Sequence, residues 1–330
     1  MASAGQLHET SGRSGLGLTL AFATAFLWAT LSIALKVALE AVDPYTLTWF
    51  RFLVAFALFG GWSATRGGLG RYRALSRRGW GLLAVCAVGL TGNYIFYLLG
   101  LDATTPANAQ LLIQLAPLTM AIGGVLVFHE RFGPAQRAGA LVLLLGLGLF
   151  FRDQLVQMAD ATSEYLRGSG CIVIAALTWA AYALCQKQLL RELTSADVLT
   201  FIFGFATIVL LPWAQPASLG TIDGFHWVAV IYCALNTLMA YSAFAESLAH
   251  LEASRVSAVL AVNPLMTLAA VTLAHLAWPD VFDVSHVAWL GLAGAVVAVF
   301  GSLITSLLGR RPPPPANAVA IRPALDEGAK

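Results

Sequence analysis

Arg51 stands inside the apolar stretch "TWFRFLVAFALFGG". A guanidinium there is costly unless it faces protein or water. Its planar fork suits a carboxylate or phosphate, and the same fork could instead bind backbone carbonyls and tie helix ends together. Two further segments repeat one spacing: "WATLSIALK" places Trp28 eight residues before Lys36, and "WAAYALCQK" places Trp179 eight before Lys187. The tryptophans could wall a cavity or pack between helices, while the lysines at segment ends read as snorkelling to the surface. Tyr97, beside Asn93, and the pair Gln110 and Gln114 lie one helical turn apart in their segments. Phenols and amides bind zwitterions and neutral polar groups without the full desolvation cost of a charge. They serve equally as hydrogen bonds between helices, worth about 0.6 kcal/mol each in a membrane. Glu246 is a candidate for proton coupling, or else an interfacial residue meeting Arg255 or Lys187. Asn263, just before Pro264, is expected to satisfy carbonyls freed by the proline.

Catalytic and metal chemistry find no footing. The six histidines (His8, His129, His226, His250, His275 and His286) show no ligand spacing, and no Ser-His-Asp set or Gly-rich phosphate loop stands at a plausible position. The four cysteines sit in apolar runs without a Cys-x-x-Cys and read as buried thiols. The sequence therefore implies no metal, no cofactor and no enzyme, and nothing in it points to nucleic acid.

Such residues need elements to hold them, and composition says which. Of 330 residues, 58% are hydrophobic and 11% charged, with a mean hydropathy of +0.76, whereas a soluble domain carries about 25% charge. From Trp80 to Phe128 the one charged residue is Asp102. Only a bilayer can hide that much apolar helix. Spans are expected at 15–38, 45–64, 80–101, 105–128, 134–151, 169–190, 196–214, 226–248, 254–275 and 286–308. Fifteen of the 19 Lys and Arg residues fall on the side of the N-terminus, against Arg152 and Arg167 on the other. The positive-inside rule then puts both termini in the cytoplasm, which ten spans satisfy. The tail begins "RRPPPP" and reads as disordered.

The tryptophan and lysine echo belongs to a longer one. Leu47 and Thr48 recur as Leu199 and Thr200; Ala107 and Pro117 recur as Ser254 and Pro264; Gly139 and Gly146 recur as Gly294 and Gly301. The offsets stay nearly constant, so a five-helix unit is duplicated. Five is odd, so the second copy enters the membrane from the opposite side. Such inverted repeats place a small-molecule site near the midplane between the halves. The expected organisation is an N-terminal segment at 1–14, a first repeat at 15–151, an external linker at 152–168, a second repeat at 169–308 and a tail at 309–330. The fold class is all-α integral membrane: ten transmembrane helices as two inverted five-helix repeats.

Over about residues 17–308 the chain resembles the drug/metabolite transporter superfamily, and within it the ten-helix EamA-type permeases. The likeness rests on Trp28 and Lys36, on "DPYTLTWFRF" with Pro44 and Arg51, and on "APLTMAIGGVLVFHERFGPAQRAGALVLLLGLGLF". In that last stretch Pro117, Glu130, Gly139 and Gly146 fit the pattern. The second half departs from it: the counterpart of Glu130 falls near Ala277, and the nearest acidic residue is Asp280. Members of that family export amino acids and other metabolites, and some carry drugs, so the resemblance implies a transport class and no substrate. The inverted repeat and the interior polar residues point to a secondary transporter, an exporter of a small polar metabolite such as an amino acid.

The expected reading is thus alternating access in the inner membrane, by a monomer or homodimer. The substrate would be bound by Trp28, Arg51, Tyr97, Gln110, Gln114 and Trp179, with Glu246 as the candidate for proton coupling. Two readings compete. Drug efflux would want acidic residues in the cavity, and an integral-membrane enzyme on a lipid substrate would want clustered Asp, His or Glu at one face.

Overall fold

The computed structural model describes residues 10–65, 68–104, 109, 111–130, 132–152, 162–277 and 289–308. The first half contains α1 (Ser14–Leu39), α2 (Pro44–Thr65), the short α3 (Gly68–Arg73), α4 (Arg77–Asp102), α5 (Leu115–Phe128) and α6 (Pro134–Phe150). The second half contains α7 (Ser163–Leu189), α8 (Ser195–Leu210), α9 (Gly224–His250), α10 (Ala253–Leu260), α11 (Asn263–Ala277) and α12 (Trp289–Leu307). Among the described residues seven helices are long and apolar enough to span a membrane, α10 and α11 counting together as one; α5, α6 and α12 are shorter apolar helices. Helix throughout is what hydrocarbon demands, since no water is present there to satisfy backbone N–H and C=O groups.

Local chemistry fixes where the helices start. Asp43 Oδ1 accepts the amides of Tyr45 and Thr46, with Pro44 at the first helical position of α2. Ser76 caps α4, Thr162 caps α7 and Asp223 caps α9. Thr194 and Asp197 form a capping box at α8. The cap at Thr162 starts α7 at Ser163, so the last residues of the expected 152–168 linker are helical.

The packing is that of an inverted repeat. α1 packs on α9 and α7 on α4, an exchange of equivalent helices between halves, while α2 pairs with α8 and α6 with α12. The α6–α12 contact is the closest. Built at Gly146, a Cβ would meet the backbone of Ala298 and Gly294, and at Gly301 the backbone of Leu143 and Gly139. Without a hydrophobic force between helices in lipid, such small-residue contacts are what holds the pair.

The spans expected at 105–128 and 254–275 are not continuous helices. The chain turns at 113–114 before α5 and again at 261–262 between α10 and α11. Pro117 and Pro264 explain the breaks: each lacks an N–H, and its ring would clash with the carbonyl four residues back, at Ile113 and Leu260. Both prolines are instead accommodated in the first turn of a new helix.

Candidate functional site

A cavity of about 280 Å³ lies between the halves. It extends from Trp28, Trp179 and Tyr241 near mid-membrane to Leu39, Pro44 and Leu101, at the face away from the Arg-rich segment 65–79. That segment's side is called the basic face below. The two helix breaks border the cavity through Gln114, Pro117, Leu260 and Asn263.

Asp43 and Pro44 set the register of α2, which puts Thr48 and Arg51 on its buried side. Arg51 lies seven residues in, about 10 Å along the helix at ~1.5 Å per residue, and is 4% exposed. Its Nε donates to Thr237 Oγ1 at 2.8 Å, and its guanidinium carbon sits 5.6 Å from the centre of the Tyr94 ring. Among the described residues no carboxylate pairs with it. The inner end of the cavity is aromatic. Trp28 meets Trp179 at 5.9 Å and Tyr241 at 5.6 Å between ring centres. Phe244 lies 5.1 Å from Trp179 and continues the cluster toward the basic face.

Beyond these rings, the basic face is closed by bonds that cross between the repeats. His129, with φ of 53°, ends α5 in the left-handed region and turns Glu130 back over the bundle. Glu130 Oε1 then accepts from Lys187 Nζ at 3.0 Å and from the Ala253 amide at 2.7 Å. Its Oε2 accepts from the Ser254 amide and hydroxyl. One carboxylate thus caps α10 and neutralises a buried lysine, which also donates to the Leu251 carbonyl. Burial pushes the Glu130 carboxyl up, but the Lys187 charge and the Ser254 bonds outweigh it and hold the group below the ordinary 4.5. A Cβ at Gly124 would collide with Glu130 and press on Ala253, so glycine is needed for this approach. A second bridge joins α2 and α3 to α8: Asp197 accepts from Ser63 Oγ at 2.8 Å and Arg71 Nη2 at 3.0 Å.

Of the residues picked out by sequence, Trp28, Arg51, Tyr97, Gln114 and Trp179 all line the cavity, while Gln110 lies outside the described residues. Glu246 does not line it. Its side chain is 49% exposed at the basic face, bonded to Ser195 and near His250 rather than Arg255 or Lys187. Lys187 is not a snorkelling residue: it is 1% exposed and paired with Glu130, because α10 and the α5–α6 loop close over it. Asn93 bridges helices through the Ala175 carbonyl. Among the described residues the Asn263 amide donates to no carbonyl freed at Pro264, and its Oδ1, an acceptor, is buried without a partner. The side chains of Ser32 and Lys36, and the loop holding Asp280, lie outside the described residues. Sequence reasoning missed Thr48 and Tyr241 as lining residues; the recurrence of Leu47 and Thr48 as Leu199 and Thr200 was the available signal for the first.

The model of the EamA-like transporter family matches residues 15–152 and again 166–307. The chain belongs to the EamA-like transporter family. Among EamA-like relatives, the inner membrane transporter YhbE of Escherichia coli (strain K12) is 36% identical over 89% of this chain and 92% of its own. A transporter of Haemophilus influenzae is 33% identical over 88% of this chain and 95% of its own. The aromatic amino acid exporter YddG of Ancylobacter novellus is 29% identical over 64% of this chain and 72% of its own. A solved crystal structure superposes with a TM-score of 0.68 over 90% of this chain and 99% of that one, at 21% identity, which is a likeness of fold. This EamA-like protein is therefore a multi-pass membrane transporter.

Proposed function

We propose that the protein is a secondary exporter of a small metabolite of about amino-acid size, working by alternating access. The observation that carries this reading is the asymmetry of the central path: open to one face, closed at the other by Glu130 and Lys187 from opposite repeats. Inverted repeats give a reason for it, since exchanging the conformations of the halves would open the closed side and close the open one. With the basic face in the cytoplasm, as the positive-inside bias favours, this is the outward-open state. Both termini are then cytoplasmic.

The cavity volume sits near the low end for small-molecule sites, which favours a metabolite over a drug-sized cargo. Drug efflux is further disfavoured because no Asp or Glu among the described residues lines the cavity. An enzyme reading has no support from a cluster of catalytic carboxylates or histidines among the cavity residues. Glu246 lies off the path, so the reading routes no proton through it. The names of the relatives, an aromatic amino acid exporter and an amino-acid metabolite efflux pump, suit the same substrate size. The test is a thermal-shift screen of purified protein against amino acids and small organic acids, since a ligand stabilises the state it binds. Stabilisation by one compound, lost in a Trp28→Ala variant, is expected; a flat response across the panel would count against the reading.

A further inference from the structure

We infer that the cavity selects its substrate as a singly charged carboxylate on an apolar or aromatic body, in preference to a zwitterion or a cation. This rests on the transporter reading and narrows it to a substrate class.

Arg51 is 4% exposed and lines the cavity. Its Nε is bonded to Thr237 and its guanidinium carbon lies 5.6 Å from the centre of the Tyr94 ring. Its two terminal nitrogens have no hydrogen bond among the described residues, so the outer edge of the fork faces the cavity unpaired. Among the described residues no Asp or Glu lines that cavity. Their side chains thus give the lining one positive charge, Arg51, and no negative one. A monocarboxylate neutralises it and matches the fork in shape. A zwitterion brings an ammonium that finds only neutral acceptors and aromatic faces, and leaves the net charge unchanged. A cation meets Arg51 directly. A phosphate dianion overshoots, leaving a net negative charge in an apolar enclosure.

The N-terminal ends of α5 and α11, created by Pro117 and Pro264, both border the cavity. Broken helices of this kind direct their positive ends at anionic substrate groups. Trp28, Trp179 and Tyr241 form an edge-to-face aromatic surface opposite these polar groups, suited to a flat or branched apolar body.

The experiment uses four probes sharing a phenylethyl body and differing in charge: 3-phenylpropionate, phenylalanine, phenethylamine and 2-phenylethyl phosphate. Binding is read at pH 7.5 by thermal shift of the full-length protein in detergent, and transport by exchange in proteoliposomes. Phenylpropionate is expected to bind at least about tenfold more tightly than phenylalanine, the difference one uncompensated charge makes in a partly desolvated site. Phenethylamine should not bind. Arg51→Gln should erase the ranking, and Arg51→Lys, which keeps the charge without the fork, should weaken it. If Arg51→Gln fails to fold, the ranking in the unaltered protein still decides. Phenylalanine, phenethylamine or the phosphate equalling or exceeding phenylpropionate would overturn the inference. So would an unchanged ranking in Arg51→Gln, or no binding by any probe. The two readings fail separately: exchange of phenylalanine but not phenylpropionate sinks the carboxylate preference and leaves the transporter standing.

Discussion

The closure at the basic face makes a quantitative prediction. Glu130 and Lys187 have side chains 6% and 1% exposed, and the carboxylate also holds the first two amides of α10. Glu130→Gln keeps an acceptor for α10 but leaves Lys187 buried and unpaired. Removing one partner of a buried pair costs about 3–5 kcal/mol. If that cost falls on the closed conformation alone, the closed-to-open ratio drops roughly 100-fold at the lower figure and more than 1,000-fold at the upper. The reporter is Ser257→Cys, one turn below Ser254 on α10 and 2% exposed, with Cys86, Cys171, Cys185 and Cys233 replaced. The rate of modification by a membrane-impermeant thiol reagent, added from the basic face of oriented vesicles, reads the opening. Glu130→Gln should raise that rate about 100-fold or more. Lys187→Met combined with Glu130→Gln removes both charges, and should return the rate most of the way, a coupling that neither single change predicts. Equal rates in the unaltered and Glu130→Gln proteins would refute the reasoning, as would a double variant no more closed than the single.

The Glu130 carboxyl is held below 4.5, so its contribution to closure is full above that value and is lost as pH falls through its lower folded value. Ser257→Cys labelling, taken relative to a permanently exposed cysteine so that the falling thiolate fraction cancels, should therefore rise below pH 4.5, and that rise should vanish in Glu130→Gln. Trp28→Ala removes edge contacts to Trp179 and Tyr241, each worth about 0.5–1.5 kcal/mol. Its half-saturating substrate concentration should rise several-fold, and Trp28→Phe should recover most of the loss. Gly301→Val forces side-chain atoms into the Leu143 backbone. It should destabilise the fold by about 1–3 kcal/mol or more, read as a lower melting temperature in detergent.

Much of this architecture was legible in sequence because membranes leave few options. Apolar runs gave the spans, and the recurrence of Trp28 and Lys36 at Trp179 and Lys187 gave the repeat. Arg51, Tyr97 and Gln114 drew attention because polar groups in hydrocarbon need a reason, and they line the cavity. Lys187 was misread because its partner lies 57 residues away across a fold boundary. From its own segment it looks like any lysine at a span end. Asn263 was misread for a related reason: Pro264 begins a new helix instead of interrupting an old one, so the break has its own turn to absorb the proline. Tyr241 sits in the apolar background of α9, and only the approach of α1 and α7 makes it part of the wall.

The central claim is that substrate crosses the membrane through this cavity, and counterflow reads it most directly. Proteoliposomes are loaded with an unlabelled compound from the organic-acid and amino-acid panel and diluted into a trace of the same compound, labelled. Counterflow needs no knowledge of the coupling ion or direction. The expected result is a transient accumulation of label above equilibrium, reduced in Arg51→Gln and Trp28→Ala. Uptake indistinguishable from protein-free liposomes for every compound, with protein that is monodisperse and melts cooperatively, would contradict the account.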